Sequence, residues 1–239
     1  MPVFSGKIFI DIQLMIIIQR TLKVNAKGEF YFASACDIIS VKEAVFMACA
    51  VLLAGGKSRR MGRDKLSLPQ DGTTVLQSAV KRFSEKFEKV YISVDDKSRY
   101  AEINAPKIED VFKGCGPLGG LHAALLTADG EGVFLAAADL PFSSPEAALF
   151  MMEKGRDYDI CITGDGEGRF EPLFGFYKKT VLNTAQELLE SGVYKMTELY
   201  AKHRVLVLSP ADMGGYWRAE SFENMNYPED FDRLLGKMC

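Results

Sequence analysis

From about residue 47 onward, apolar runs of strand length alternate with amphipathic stretches of helix length, the pattern of successive βα units. The run over residues 48–53 is continuously apolar and leads directly into paired glycines, so it predicts a strand buried on both faces of a parallel sheet. Residues 74–87 predict a helix with Thr73 or Thr74 as cap, and residues 90–94 a second strand. A second helix follows over residues 117–127, then a wholly apolar strand over residues 133–138 that ends at Asp139. Ser144, Pro145 and Glu146 open another helix with a cap, a first-turn proline and an acid near the positive end of the helix dipole. Residues 159–163 and 171–177 flank a loop of alternating glycines and acids, which predicts a joined pair of strands and a locally mixed sheet. A helix over residues 180–189, a strand over 205–208 and a last helix opened by Pro228, Glu229 and Asp230 complete an α/β pattern.

The first 46 residues break this rhythm. An apolar run over residues 8–18 is interrupted by Asp11 and Gln13, and it is too short to span a bilayer. It also lacks the ordered basic, apolar and small-residue regions of a signal peptide. We expect Met47 to be the biological start, with residues 1–46 an upstream extension of unknown role and residues 47–239 the working domain. The rival is a small strand-rich appendage.

Composition narrows the function. Apolar residues make up 48% of the chain, enough to bury a core. The net charge of −3 is spread over both signs, which gives no basic footprint for nucleic acid. The five cysteines form no CxxC pair, so they read as reduced thiols of a cytoplasmic protein with neither disulfide framework nor zinc site. Two histidines, His122 and His203, are too few for a His-rich metal site or a convincing Ser-His-Asp triad. Oxygen ligands to a metal remain available.

The candidate chemistry begins where the first strand ends. Gly55 and Gly56 let backbone amides approach anionic oxygens, and Arg59, Arg60 and Lys65 follow with positive charge, the ingredients of a polyphosphate site. This is not a Walker A loop, because Val51 stands where that motif needs its first glycine. It is not the dinucleotide fingerprint either, since Lys57 follows Gly55 at the position of the second glycine. Asp139, at the end of a buried strand on the edge where open α/β sheets bind ligands, suits Mg²⁺, which takes few carboxylates together with phosphate oxygens.

The string LAGGKSRRMGRDK over residues 53–65 resembles the LAGGxSxRMGxDK signature of the molybdenum-cofactor guanylyltransferases. Gly116-Pro117-Leu118-Gly119-Gly120 is similar to that family's GPLxG loop, and Asp139-Leu140-Pro141 to its metal-binding DxP turn. Residues 222–230 resemble FxNxNTPED, with Tyr227 where threonine is usual. The resemblance spans residues 47–239. It implies a Rossmann-like three-layer α/β/α nucleotidyltransferase fold that moves GMP from GTP to the terminal phosphate of molybdopterin and expels pyrophosphate, with Mg²⁺ as cofactor.

By the same resemblance, Leu53, Ala54, Gly55 and Gly56 hold the nucleotide through backbone groups, and Gly119 and Gly120 border the base. Ser93 and Asp110 contact the nucleotide, Lys65, Arg59 and Asp139 serve the chemistry, and Asp139 carries the metal. Asn224 and Asn226 face the pterin; Glu171, Lys195, Arg169 and Arg218 are further candidates on that side. His122, Met151, Met152, Tyr216 and Trp217 read as packing residues. Other cofactor-biosynthesis proteins or target molybdoenzymes are conceivable partners; nucleic acid and membrane are not expected. Two rivals stand: a relative using CTP or another acceptor, and a non-catalytic GTP- or cofactor-binding adaptor.

Overall fold

The computed structural model describes residues 22–24, 30–32, 49–55, 64–70, 72–140, 142–165 and 167–218. The chain divides into two units, Met1–Met47 and Ala48–Cys239. In the first, the described residues form one antiparallel pair, β1 (Leu22–Val24) with β2 (Phe30–Phe32).

The second unit is built on a seven-stranded sheet. Its members are β3 (Cys49–Leu53), β6 (Val90–Val94), β7 (Lys107–Glu109), β8 (Gly132–Ala137), β9 (Ile160–Gly164), β10 (Phe170–Lys178) and β11 (Val205–Leu208), in spatial order β11-β9-β10-β8-β3-β6-β7. Only β10 runs against its neighbours β8 and β9; the remaining pairings are parallel. A two-stranded ribbon, β4 (Pro69–Gln70) with β5 (Thr73–Thr74), lies outside this sheet. Among the described residues the α-helices are α1 (Val75–Ser84), α2 (Gly116–Thr127), α3 (Pro145–Lys154), α4 (Leu182–Glu190) and the single turn α5 (Pro210–Met213).

The starts of α1 and α3 follow from their caps. Thr74 accepts from the Gln77 amide while Gln77 reaches back to the Thr74 amide, a reciprocal arrangement that contributes on the order of 1 kcal/mol. Ser144 caps α3 through the Ala147 amide, with Pro145 in the first turn. The helix expected over 74–87 closes at Ser84, yet the Phe87 amide still bonds back to the Phe83 carbonyl, so Phe87 stays in the core. The helix expected from residue 180 begins instead with a tighter turn, Lys179–Val181.

The alternation of strand side chains divides the core into two layers. Val51, Leu135, Ile160, Ile162 and Tyr177 face α2 and α4, packing on Leu121, Leu125, Ala185 and Leu189. On the other face Phe134 packs edge-on against Phe174, with ring centroids 4.8 Å apart, and meets Phe87 beyond α1. Every residue of β8 is buried, as a central strand covered on both faces requires. Met151, Met152 and His122 are buried, in keeping with packing roles.

Strand order creates a switch point. From β3 the chain moves by way of α1 to β6 and β7 on one side, then returns by way of α2 to β8 on the other. The carboxyl ends of β3 and β8 therefore border the crevice where open sheets of this kind take ligands.

Candidate functional site

Leu53 ends β3 opposite Ala137 in β8, and the Ala138 amide donates to the Leu53 carbonyl at 3.1 Å. Asp139 thus stands two residues beyond the partner of Leu53, an adjacency that two parallel strand ends impose. Ala54 is buried, its amide donating to the Ser93 carbonyl at 2.9 Å, whereas Gly55 is exposed.

Lys65 reaches the same spot from a different element. It begins a 3-10 turn, Lys65–Ser67, and its ammonium pairs with the Asp139 carboxylate; both side chains are about one-fifth exposed. Asp64 caps the turn by accepting from the Leu66 amide. Burial alone would raise the Asp64 carboxyl, but hydrogen bonds from Tyr100 and Arg99 outweigh it and hold the group below its ordinary range. A cation and a carboxylate thus meet at the switch point. A bound polyphosphate would satisfy the first, and a hard, oxygen-seeking cation shared with that phosphate would suit the second.

The opposite flank is lined by small residues around one acid. Asp110 follows β7, its amide bonded to the Val94 carbonyl at 3.0 Å, and its carboxylate accepts from the Ser93 hydroxyl at 3.2 Å. Burial pushes the Asp110 carboxyl up to about 6, against the opposing hydrogen bond from Ser93. Gly119 and Gly120, in the first turns of α2, come so close that side chains would not fit. A Cβ on Gly119 would lie 2.9 Å from the Phe112 carbonyl oxygen, and one on Gly120 would lie 2.7 Å from Leu53 Cδ2 and 2.9 Å from Ser93 Oγ. At Gly55 a Cβ would meet Asp110 Oδ2 at an ordinary 4.0 Å. Gly55, Ser93, Gly119 and Gly120 therefore surround the Asp110 carboxylate. Ser93, only 1% exposed, serves from behind it.

Several expected residues fall elsewhere. Gly56, Arg59, Arg60, Pro141, Asn224 and Asn226 lie outside the described residues, as does the helix expected from Pro228. Arg169 is engaged with Asp165 and Glu167. Tyr216 stacks on Phe150 at 4.7 Å. Glu171 sits where β10 breaks register with β9, an irregularity suited to Pro172, which has no amide to donate. Its carboxyl accepts from the Leu173 amide at 3.1 Å, and burial, aided by the nearby charge of Asp139, raises it. The pairing of Arg99 and Tyr100 with Asp64 was not legible in the sequence, because it joins residues more than thirty positions apart.

A switch-point crevice with a lysine–aspartate pair on one flank and a glycine-lined carboxylate on the other defines an α/β nucleotide-handling fold. A family model described as "MobA-like NTP transferase domain" matches residues 50–206. The chain belongs to that family. It is 32% identical over 185 residues to a protein of Carboxydothermus hydrogenoformans named "probable molybdenum cofactor guanylyltransferase", covering 77% of this chain and 93% of that one. The structure of molybdopterin-guanine dinucleotide biosynthesis protein A from Archaeoglobus fulgidus superposes with a TM-score of 0.71 at 25% identity, covering 80% of this chain and 98% of that one. A 4-diphosphocytidyl-2C-methyl-D-erythritol synthase from Anaerococcus prevotii shares the fold at 15% identity, with a TM-score of 0.61 over 80% of this chain and 98% of that one. Proteins named for different nucleotides thus share this architecture, and the choice of base has to be sought in the site.

Among the described residues no helix is long and apolar enough to cross a membrane.

Proposed function

We propose that residues 47–239 transfer GMP from GTP to the terminal phosphate of molybdopterin, releasing pyrophosphate, as a step of molybdenum cofactor biosynthesis. The observation that carries this reading is the Lys65–Asp139 pair at the switch point, just beyond the paired ends of β3 and β8. The names of the Carboxydothermus and Archaeoglobus relatives support the choice of substrates.

The reaction needs no nucleophile from the protein. A phosphate monoester is largely dianionic near neutral pH, its second pKa being about 6, so the acceptor attacks the α-phosphorus directly. The barrier lies in bringing two polyanions together and in the charge that develops on pyrophosphate, which leaves the protein to position and to neutralise. Lys65 serves as the cation at the α- or β-phosphate, with Arg59 as a second, while the amides of Gly55 and Gly56 hold the remaining oxygens. Asp139 would hold Mg²⁺, which when bound would supply positive charge to offset that of the phosphates.

Asp110 supplies the base preference. When ionised it only accepts hydrogen bonds, and the edge of guanine carries an amino donor beside a ring N–H, whereas cytosine offers an amino group alone. Ser93 steadies that carboxylate, and Gly119 and Gly120, packed closely against Phe112, Leu53 and Ser93, form the wall beside it. Asn224 and Asn226 are assigned to the pterin. Residues 1–46 are assigned no part in the reaction.

The test is direct. The full chain is incubated with molybdopterin, Mg²⁺ and each of GTP, CTP, ATP and UTP, and the product is identified by mass. A guanine dinucleotide formed from GTP supports the proposal. A cytidine product, or GTP binding without pyrophosphate release, overturns it in favour of the CTP-using or adaptor reading respectively.

A further inference from the structure

Lys65 is held from behind by a cluster that belongs to neither strand end of the crevice. Asp64 is bound on both oxygens: Oδ1 accepts from the Leu66 amide at 3.1 Å, and Oδ2 accepts from Arg99 Nη2 at 3.0 Å and from the Tyr100 hydroxyl at 2.7 Å. Arg99 turns its other amino group to Asp95 at 2.7 Å, just past the end of β6. Its guanidinium also stacks over the Tyr100 ring, 4.9 Å from the centroid. Tyr100 is 7% exposed, and its backbone is left-handed, with φ at +55°. A bulky residue adopts that conformation only where its surroundings over-determine it, and such outliers gather at functional sites.

The cluster converges on the one side chain that caps the Lys65 turn. A lysine ammonium sits at the end of a long flexible stem, so the orientation of the turn decides which side of the crevice it reaches. We infer that Tyr100 and Arg99 are positioning residues for Lys65, acting through Asp64 to fix the turn from which the ammonium reaches Asp139. The strand end that leads into this loop touches the base side as well, since the carbonyl of Val94, the last residue of β6, accepts the Asp110 amide at 3.0 Å. One segment therefore braces both flanks. The inference rests on the reading of Lys65 as the phosphate-facing cation, but its test can be made without any nucleotide.

Tyr100→Phe removes a single hydroxyl from the full chain. An amine-acylating reagent is applied without substrate, and labelling of individual lysines is followed by mass spectrometry. Lys65 is expected to label roughly threefold to tenfold faster in the variant, the factor associated with losing the hydrogen bond that the hydroxyl donates to Asp64. Lys178, whose ammonium donates to the Arg156 carbonyl away from this cluster, should label at the wild-type rate. Arg99→Gln, which breaks both ion pairs on Asp64 and Asp95, should act in the same direction and serves if Tyr100→Phe does not fold. With substrates, kcat should fall roughly tenfold while KM for GTP stays within about twofold. The same hydroxyl deletion made in a Lys65→Ala background should cost nothing more, because its effect passes through Lys65. Unchanged Lys65 labelling in the folded variants, or losses that multiply in the Lys65→Ala background, would overturn the inference. If the wild type transfers no GMP, the labelling experiment still decides the positioning role, and only the functional reading fails.

Discussion

At the joined ends of β3 and β8 the crevice is built from charge, with Lys65 and Asp139 facing each other from separate elements. Across it, where β6, β7 and the start of α2 meet, it is built from missing side chains around a single carboxylate. The two flanks should fail differently. Charged groups near solvent contribute little to folding, so their loss should appear in the chemistry. Close-packed glycines contribute through shape, so a methyl group there should disturb folding and binding together.

The largest expected effect tests the charged flank. Asp139→Ala and Lys65→Ala should each lower GMP transfer by about 10²–10³-fold, the range typical of removing one preorganised electrostatic contact. Unfolding free energy should move by no more than about 1 kcal/mol, since the pair is partly solvated. Pyrophosphate release and denaturant titration measure the two quantities on the same preparations. A variant that loses several kcal/mol of stability along with its activity would erase the distinction between the flanks.

The second effect tests the glycine flank through a contrast within it. Gly119→Ala places a methyl group 2.9 Å from a backbone carbonyl that cannot simply rotate away, so about 1–3 kcal/mol of destabilisation is expected, with weaker GTP binding. Gly55→Ala faces open space among the described residues, its nearest contact being an ordinary 4.0 Å. It should leave stability almost unchanged and weaken GTP binding, because its effect needs the ligand to be present. Calorimetric titration beside thermal unfolding separates the two; equal stabilities would remove the argument from shape.

What the sequence disclosed of this site depended on whether neighbours in space were also fixed by local pattern. The βα rhythm placed Leu53 and Asp139 at strand ends, and parallel pairing of those strands brings them together without further information. The caps at Thr74 and Ser144 were equally local. By contrast, β7 has three residues, too few to establish a period, so no local pattern marks Asp110 as the residue after an edge strand. That β10, not β9, would lie against β8 was also hidden, since a hairpin can dock by either strand. Ser93 carried a nucleotide-contact expectation from resemblance, yet its hydroxyl is committed to Asp110, a pairing only the folded chain reveals.

The smallest effect concerns Asp110 and its pH dependence. Unfolded, this carboxyl titrates near its ordinary 3.8; folded, burial raises it to about 6. Between those values the native state keeps a proton that the unfolded chain has released, so the group's contribution to stability falls as pH rises through that window. Above it the folded protein bears the full cost of a buried, ionised carboxylate. Asp110→Asn removes the cost, and after allowance for solvent screening it should stabilise the protein at pH 7 by about 1 kcal/mol, with no gain at pH 3.5. GTP affinity should respond in the opposite sense. If the ionised carboxylate accepts from guanine, wild-type affinity climbs from pH 5 to pH 7 and then levels, while the asparagine variant binds more weakly and shows no such slope. A carboxylate kept ionised against its own burial would then be held there for the ligand. Superimposable stability profiles for wild type and variant between pH 4 and pH 7 would show instead that Asp110 carries no such cost.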